Sequence, residues 1–197
     1  MKKYKFLFII IILSTLSFIT YEKANANISN NKYQKIEWEN LIPKSWNMEK
    51  VVKNAFRGIK VEQISEDEEF AGDNKKIDLA IKRLRKALDT APVNNSMNGK
   101  YIKIAGYIAP LEYTENRKIK EFFLVPYFGG CIHSPPPPAN QIIYVRSKNG
   151  IDFETMEGGA MLSGKLEIKS TAKKDMGVAG YFMQLDNIEV YKEEQNI

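Results

Sequence analysis

Residues 98–110, with the sequence NGKYIKIAGYIAP, decide the fold class of this chain. Asn98-Gly99 is a turn signal, and the segment after it is mainly β-branched, aromatic or small, as in a strand. Proline cannot donate to a β ladder, so Pro110 is expected to end this strand. The stretch therefore predicts the beginning of a β domain.

Further strand-like segments follow this first one. They are Glu121–Val125, Gln141–Arg146, Ala160–Ile168 and Tyr181–Tyr191. Short strands at such spacing are typical of small antiparallel barrels and sandwiches. We therefore predict an α+β fold that is mainly antiparallel β, with a small OB-like barrel over 97–197 and an N-terminal helical extension over 27–96.

The extension is predicted to contain one amphipathic helix, at about Asn74 to Asp89. Its apolar stripe at helical spacing consists of Ile77, Ala80, Ile81, Leu84 and Leu88. We expect Ile77, Ile81, Leu84 and Leu88 to face the barrel core. A basic helix of this kind also suits an anionic membrane surface, but the stripe has no aromatic residue to enter the interface, so a core-covering helix is preferred.

Both tryptophans of the chain, Trp38 and Trp46, lie in one short segment near the start of the extension. Such large aromatic side chains usually indicate burial. We interpret the segment as the part that docks the extension onto the domain, with a ligand groove as the alternative.

The first 26 residues are predicted to be a cleavable signal peptide. Three early lysines precede an apolar run over residues 6–19, and Ala24-Asn25-Ala26 supplies the small-x-small cleavage pattern. The apolar run is shorter than the roughly 20 residues of a spanning helix, which disfavours an uncleaved anchor. We therefore expect cleavage after Ala26 and a periplasmic protein.

Charge argues against one class of partner. The chain carries 29 Lys and Arg against 24 Asp and Glu, and removal of the four lysines and one glutamate of the signal peptide leaves a net charge of +2. This positive surplus is too small to neutralise the phosphates of a nucleic acid, so no nucleic acid is expected as partner. Membrane contact is not required. The single cysteine excludes an intrachain disulfide.

Residues 126–141, between the second and third predicted strands, contain the only cysteine and the only histidine, Cys131 and His133. Prolines lack an N–H donor and have a fixed φ, so four in succession predict a stiff, extended segment. We predict that the loop holds Cys131 and His133 in place as metal or ligand contacts. Its predicted scaffold consists of Gly129, Gly130, Pro135, Pro136, Pro137, Pro138, Asn140 and Gln141.

Three interpretations of the Cys131–His133 pair stay open. Thiolate and imidazole bind zinc, or copper in a softer site, and residues i and i+2 of an extended chain point to the same side. A tetrahedral site then needs further ligands from carboxylates, methionine, water or a partner. The pair could also be a nucleophile and its base, although a Cβ separation of about 6–7 Å suits a bridging ion better. In the third interpretation both residues are structural.

The same residues resemble the bacterial secreted domain-of-unknown-function family 3299. The resemblance is carried by residues 99–111, by residues 121–133 with the prolines behind them, and by Asn140-Gln141. Residues 38–46, the helix before Ala91-Pro92 and residues 177–181 are also similar. The family usually has an alanine where this chain has Gly130. The resemblance implies a periplasmic or lipid-anchored protein. The genes of some family members lie beside the gene of an ABC-type transporter, in a setting linked to zinc supply.

We therefore predict a periplasmic, non-enzymatic accessory protein. It would assist zinc uptake or an ABC-type envelope transporter through the Cys131–His133 loop, with zinc as the cofactor and the transporter or another periplasmic protein as partner. One alternative is a thiol-dependent enzyme with Cys131 as nucleophile or redox centre, which requires a low-pKa thiolate. The other alternative is a protein-docking module that binds its partner through the ridge of four prolines, Pro135 to Pro138.

Overall fold

The computed structural model of the chain describes residues 32–59, 74–114, 116, 118–129, 136–152, 159–174 and 176–191. The chain divides into two units, Met1–Gln34 and Lys35–Ile197. The predicted signal peptide, residues 1–26, lies outside the described residues. In the described ranges, no helix is both long enough and apolar enough to cross a membrane.

Two α-helices and a set of strands make up the described chain. The helices are α1 (Met48–Ala55) and α2 (Asn74–Asp89). The strands are β1 (Gln34–Lys35), β2 (Tyr101–Tyr113), β3 (Ile119–Val125), β4 (Ile143–Ile151), β5 (Ala160–Lys173) and β6 (Gly177–Val190). Short 3-10 helices occupy Trp38–Leu41, Asn95–Met97 and Ala139–Gln141.

The strands close into a five-stranded mixed barrel. The sheet order is β1-β2-β3-β4-β6-β5, and an additional pairing of β2 with β5 closes it. The pairs β2–β3, β3–β4, β5–β6 and β2–β5 are antiparallel, whereas β4 and β6 are parallel. Closure pairs the edges that an open sheet would expose. The α+β prediction fits this architecture.

The core lies inside the barrel. Strand side chains alternate between the two faces of the sheet, so every second residue of each strand points inward. Burial of apolar surface stabilises the fold by roughly 25 cal/mol per Å². The inward residues include Ile102, Ile104, Phe122, Leu124, Ile143, Val145, Leu162, Leu166, Tyr181 and Met183.

Strand β2 does not end at Pro110, as the sequence analysis expected, but continues to Tyr113. Pro110 pairs with Phe122 of β3, next to an irregularity in the register. The pairing of β2 with β5 covers only Tyr101 to Gly106. Pro110 therefore has a strand neighbour on one side alone, where a missing N–H is tolerated.

Helix α2 has the predicted bounds, but the prediction that its apolar stripe faces the barrel core is wrong. Ala80, Leu84 and Leu88 are buried, whereas Ile81 is 44% exposed. Leu84 and Leu88 pack with Ala55 of α1 in a cluster separate from the barrel core. Ile81 lies 100° around the helix from Ala80, on a flank that this packing does not cover. The stripe thus faces mainly α1 instead of the barrel core.

Helix α1 corrects the prediction of a single helix in the extension. Asn47 caps it, because its side-chain oxygen accepts a hydrogen bond from the Lys50 N–H at 2.9 Å. Ala55 is buried at its last turn. The helix is only eight residues long, so its apolar pattern is too short to stand out from the polar segment around it.

Trp38 docks the extension onto the barrel, as predicted. Its side chain is buried, and its Nε1–H donates to the Ala105 carbonyl at 2.7 Å. Leu41, at the end of the same 3-10 helix, is fully buried in the barrel core. Indole burial with a satisfied N–H is the usual arrangement for a docking tryptophan.

Tyr181 of β6 connects two distant segments inside the core. Its hydroxyl donates to the Leu41 carbonyl at 2.7 Å and accepts from the Asn94 N–H at 2.6 Å. The Asn94 side chain also donates to the Asn40 carbonyl at 2.7 Å. Burial is the main cause that raises the pKa of Tyr181 to about 12, so the phenol stays protonated. We refer to Asn40, Leu41, Asn94 and Tyr181 as the tyrosine node.

An ion-pair network lies on the outer face of the barrel. The Glu121 carboxylate of β3 contacts the Arg146 guanidinium of β4 at 2.9 Å and the Lys173 Nζ of β5 at 3.5 Å. Burial alone would raise the pKa of Glu121. Hydrogen bonds with Tyr144 and Arg146 and the charges of Arg146 and Lys173 outweigh that effect, so the pKa lies below its usual value. The network thus links three strands.

Replacement of Tyr181 by phenylalanine should destabilise the protein by about 0.5–1.5 kcal/mol. The Leu41 carbonyl and the Asn94 N–H lose the hydroxyl and keep only their longer bond to each other, at 3.3 Å. Urea unfolding measures the change. Tyr113→Phe is the matched control, since Tyr113 is 56% exposed and the same atom is removed. Equal losses in the two variants would contradict a special role for the node.

Glu121→Gln should lower the free energy of unfolding by roughly 1 kcal/mol at neutral pH, because the network loses its only anion. The folded-state pKa of Glu121 lies below its ordinary value of 4.5. Its contribution is therefore complete above that value and is lost as the pH falls through the folded-state pKa.

Thermal unfolding of wild type and Glu121→Gln from neutral to acid pH tests this expectation. The difference in stability between wild type and Glu121→Gln should be constant well above pH 4.5, the ordinary pKa of a glutamate, and should become smaller in acid. Glu167→Gln is the control, because Glu167 forms a half-exposed pair with Lys165 at 3.4 Å. If the difference in stability between wild type and Glu121→Gln becomes larger as the pH falls, the ion-pair network does not stabilise the fold as proposed.

Candidate functional site

The candidate site is the loop of residues 126–141, which connects β3 to β4. Cys131 and His133, with Gly130 and Pro135 of the predicted scaffold, lie outside the described residues. The described parts are an N-terminal limb, Pro126 to Gly129, and a C-terminal limb, Pro136 to Gln141. The geometry of these limbs determines how the segment between them is attached to the barrel.

The N-terminal limb carries two aromatic residues on the surface. Tyr127 and Phe128 are exposed, and Phe128 has 75% of its surface accessible. The Phe128 ring meets the Tyr107 ring edge to face, with centroids 6.0 Å apart. Gly129 follows at φ +76°, a left-handed conformation that favours glycine. The limb therefore forms a turn that presents an exposed aromatic side chain.

The C-terminal limb is buried. Pro136, Pro137, Pro138, Ala139 and Asn140 all lie inside the protein surface. Pro138 has φ −64° and ψ 154°, which is the extended conformation that the proline run predicted. Three of the four prolines are thus packed against the domain, which does not favour their use as an exposed docking ridge.

Two polar side chains attach this limb to the N-terminal part of the domain. The Asn140 Nδ2 donates to the Pro92 carbonyl at 2.9 Å, and the Gln141 Nε2 donates to the Trp38 carbonyl at 2.9 Å. The predicted scaffold residues Asn140 and Gln141 are thereby placed beside the docking segment. The Asn140 Oδ1 is buried and has no hydrogen-bond partner among the described residues.

Strand β6 supports the limb by close backbone contact. A Cβ built on Gly180 would lie 2.7 Å from the Ala139 carbonyl oxygen and 2.6 Å from the Val93 Cγ1. These distances leave no room for a side chain at position 180. Gly180 precedes Tyr181 in β6, so the loop limb and the tyrosine node share one strand.

The described residues supply few groups for a metal. In the ranges that the structure covers, no set of three or more His, Cys, Asp or Glu residues could hold an ion. A cavity of about 600 Å³ lies at the end of α1, but its lining residues, Val52–Asn54 and Phe56–Ile59, do not belong to the loop.

Sequence reasoning did not single out the exposed aromatic pair of the N-terminal limb. The signal was present, because Tyr127 and Phe128 stand between Pro126 and Gly129. Turn residues on both sides leave consecutive aromatics without a strand face to occupy. Aromatic residues in such a position are candidates for exposure.

Comparison with known proteins identifies the family. Residues 38–190 match the family described as "Protein of unknown function (DUF3299)". The chain belongs to this family. A crystal structure of a DUF3299 family protein from Pseudomonas aeruginosa PAO1 is similar, with 27% sequence identity and a TM-score of 0.59, and the match covers 82% of this chain and 98% of that chain. No curated protein matches the sequence. The predicted family resemblance is thus confirmed.

Gly180→Ala should lower stability by about 1–3 kcal/mol, because the added methyl group overpacks the contact with Ala139 and Val93. Urea unfolding measures the loss. Ala172→Ser, at an exposed position of β5, is a control of similar size. Equal stability of Gly180→Ala and wild type would contradict the inference that β6 supports the C-terminal limb.

Proposed function

We propose that this member of the DUF3299 family is an exported, non-enzymatic accessory protein of the bacterial envelope. Its loop would present Cys131 and His133 to a zinc ion, in the service of zinc uptake or an ABC-type transporter. The observation that carries the proposal is the buried C-terminal limb of the loop, in which Asn140 and Gln141 bind the Pro92 and Trp38 carbonyls.

Rigid attachment is relevant because it lowers the entropy lost on binding. Pro136 follows Cys131 and His133 closely in sequence, and Pro136–Asn140 is buried. Burial of this limb fixes one end of the connection that carries the two residues. That property suits a ligand-presenting loop.

Zinc is the preferred ion because thiolate and neutral imidazole are among its usual ligands. Two such ligands leave coordination positions open, and a partner protein is a reasonable source for the others. The exposed Phe128 in the N-terminal limb of the loop favours protein contact, since aromatic residues are enriched in interfaces. We propose the transporter, or another periplasmic protein, as that partner.

Export is proposed from the sequence of residues 1–26, in which lysines, an apolar run and Ala24-Asn25-Ala26 follow in order. A periplasmic location fits a role in metal supply. It is also the compartment that the family resemblance implies.

We further propose that the barrel is OB-like. Counted from β2, the strands are ordered 1-2-3-5-4, and the third and fifth are parallel. In OB-folds, ligands bind at the face of the second and third strands and at the loops between strands 1 and 2 and strands 4 and 5. In this numbering the Cys131–His133 loop connects the second and third strands.

Calorimetric titration with zinc tests the proposed site. Wild type should bind at micromolar zinc, and Cys131→Ser and His133→Ala should each abolish binding. Affinity should fall as the pH drops through the histidine range near about 6.5, because neutral imidazole and thiolate are the binding forms.

Ser134→Ala is the matched control, since it changes the same loop and keeps both ligands. Melting curves of all four proteins accompany the titration. Normal wild-type melting without zinc binding would count against the proposed site. Equal zinc binding by wild type and both ligand variants would count against it as well.

A further inference from the structure

Three cations lie over two aromatic rings on the outer face of the barrel. The Lys173 Nζ is 5.4 Å and the Arg146 Cζ 5.8 Å from the Tyr144 ring centroid. The Lys169 Nζ is 5.2 Å from the centroid of Phe182. The two rings are adjacent, with centroids 5.8 Å apart. We refer to Arg146, Lys169 and Lys173 as the cation cluster.

The cation cluster has more positive charge than its neighbours neutralise. Glu121 is the carboxylate that pairs with it, and it contacts Arg146 and Lys173. Among the ion pairs of the described residues, none includes Lys169. Glu167 lies opposite Phe182 but is paired with Lys165. Among the described residues, the three cations of the cluster therefore face one carboxylate, Glu121, which leaves a surplus of two positive charges around the two rings.

The free donors of the cluster belong to its lysines. The Arg146 Nε and Nη2 both bind Glu121 Oε1, at 3.0 and 2.9 Å, so the guanidinium is already occupied by a carboxylate. The Lys173 Nζ is only loosely held, at 3.5 Å from Glu121 Oε2. Lysine ammonium groups bind phosphate as point charges. The arginine fork suits carboxylate and phosphate alike, but here Glu121 already occupies it.

The surroundings strengthen this electrostatic attraction. Phe123 and Tyr144, which lie beneath the cluster, are buried, and their apolar surface lowers the local dielectric constant. The cations themselves are accessible, because the Arg146 and Lys173 side chains are 48% and 37% exposed. The ring faces are covered by cations, so stacking of an uncharged sugar or base is disfavoured.

We infer that the cation cluster is a binding site for a phosphate group, held mainly by Lys169 and Lys173 and bordered by Arg146. The site takes the phosphate of a soluble phosphorylated ligand or of a lipid headgroup, since the two offer the same chemistry. It does not depend on Cys131, His133 or zinc.

Calorimetry of the purified protein with sodium tripolyphosphate at low ionic strength tests the inference. Wild type should bind. Lys169→Ala should weaken binding about tenfold, as expected for loss of one charge-assisted contact, and Lys169→Ala/Lys173→Ala should weaken it further. Lys169→Arg should restore most of the affinity, because the positive charge returns.

Lys100→Ala, at an exposed position at the start of the barrel, is the matched control and should bind as wild type does. Citrate tests the anion, because its negative charge is on carboxylates. Pyrophosphate, which carries a similar charge at neutral pH, is the phosphate compared with it and should bind more tightly than citrate. Melting curves show whether loss of the Lys173–Glu121 contact has unfolded the double variant. The Lys169→Ala protein keeps that contact and remains informative.

Vesicles that contain phosphatidylglycerol distinguish the two sources of phosphate. Sedimentation with these vesicles that is lost in the double variant supports a lipid headgroup. Tripolyphosphate binding without sedimentation supports a soluble ligand. The inference is overturned if wild type does not bind tripolyphosphate, if the folded double variant binds it as wild type does, or if citrate binds as tightly as pyrophosphate.

Discussion

The hydroxyl of Tyr181 fixes the relative position of chain segments that are far apart in sequence. A buried phenol must satisfy its hydroxyl, and this one does so with the Leu41 carbonyl and the Asn94 N–H. The docking segment and the segment after α2 are therefore held against β6. Gly180 of the same strand contacts Ala139. The position of the C-terminal limb of the loop therefore depends on the position of β6.

Local patterns predicted much of the fold. Helix α2 has the bounds that its periodicity predicted, and Trp38 docks as its size suggested. The strand segments were recognisable from β-branched and aromatic residues. The errors arose where tertiary contacts override local preference. Pro110 continues a strand because only one neighbour is present there, and Ile81 is exposed because α1 covers only part of the stripe. Neither fact is contained in the local sequence.

The candidate site was predicted less completely. Stiffness of the proline run follows from proline chemistry, and the extended Pro138 agrees with it. The partners of the limb could not be predicted, because the Pro92 and Trp38 carbonyls are backbone groups with no sequence signature. The cation cluster was also missed. Its members belong to β4 and β5, and their proximity depends on β6, which pairs with both strands.

Barrel closure also determines how the chain folds. The hairpin of β5 and β6 has a short connection and can form locally, whereas the closing pair joins residues 101–106 to residues 160–165. Contacts between distant segments cost more chain entropy and form more slowly. We expect the β2–β5 pairing to limit the folding rate. Until that step is complete, two unpaired strand edges are open to association with other chains, which makes an unclosed barrel prone to aggregation.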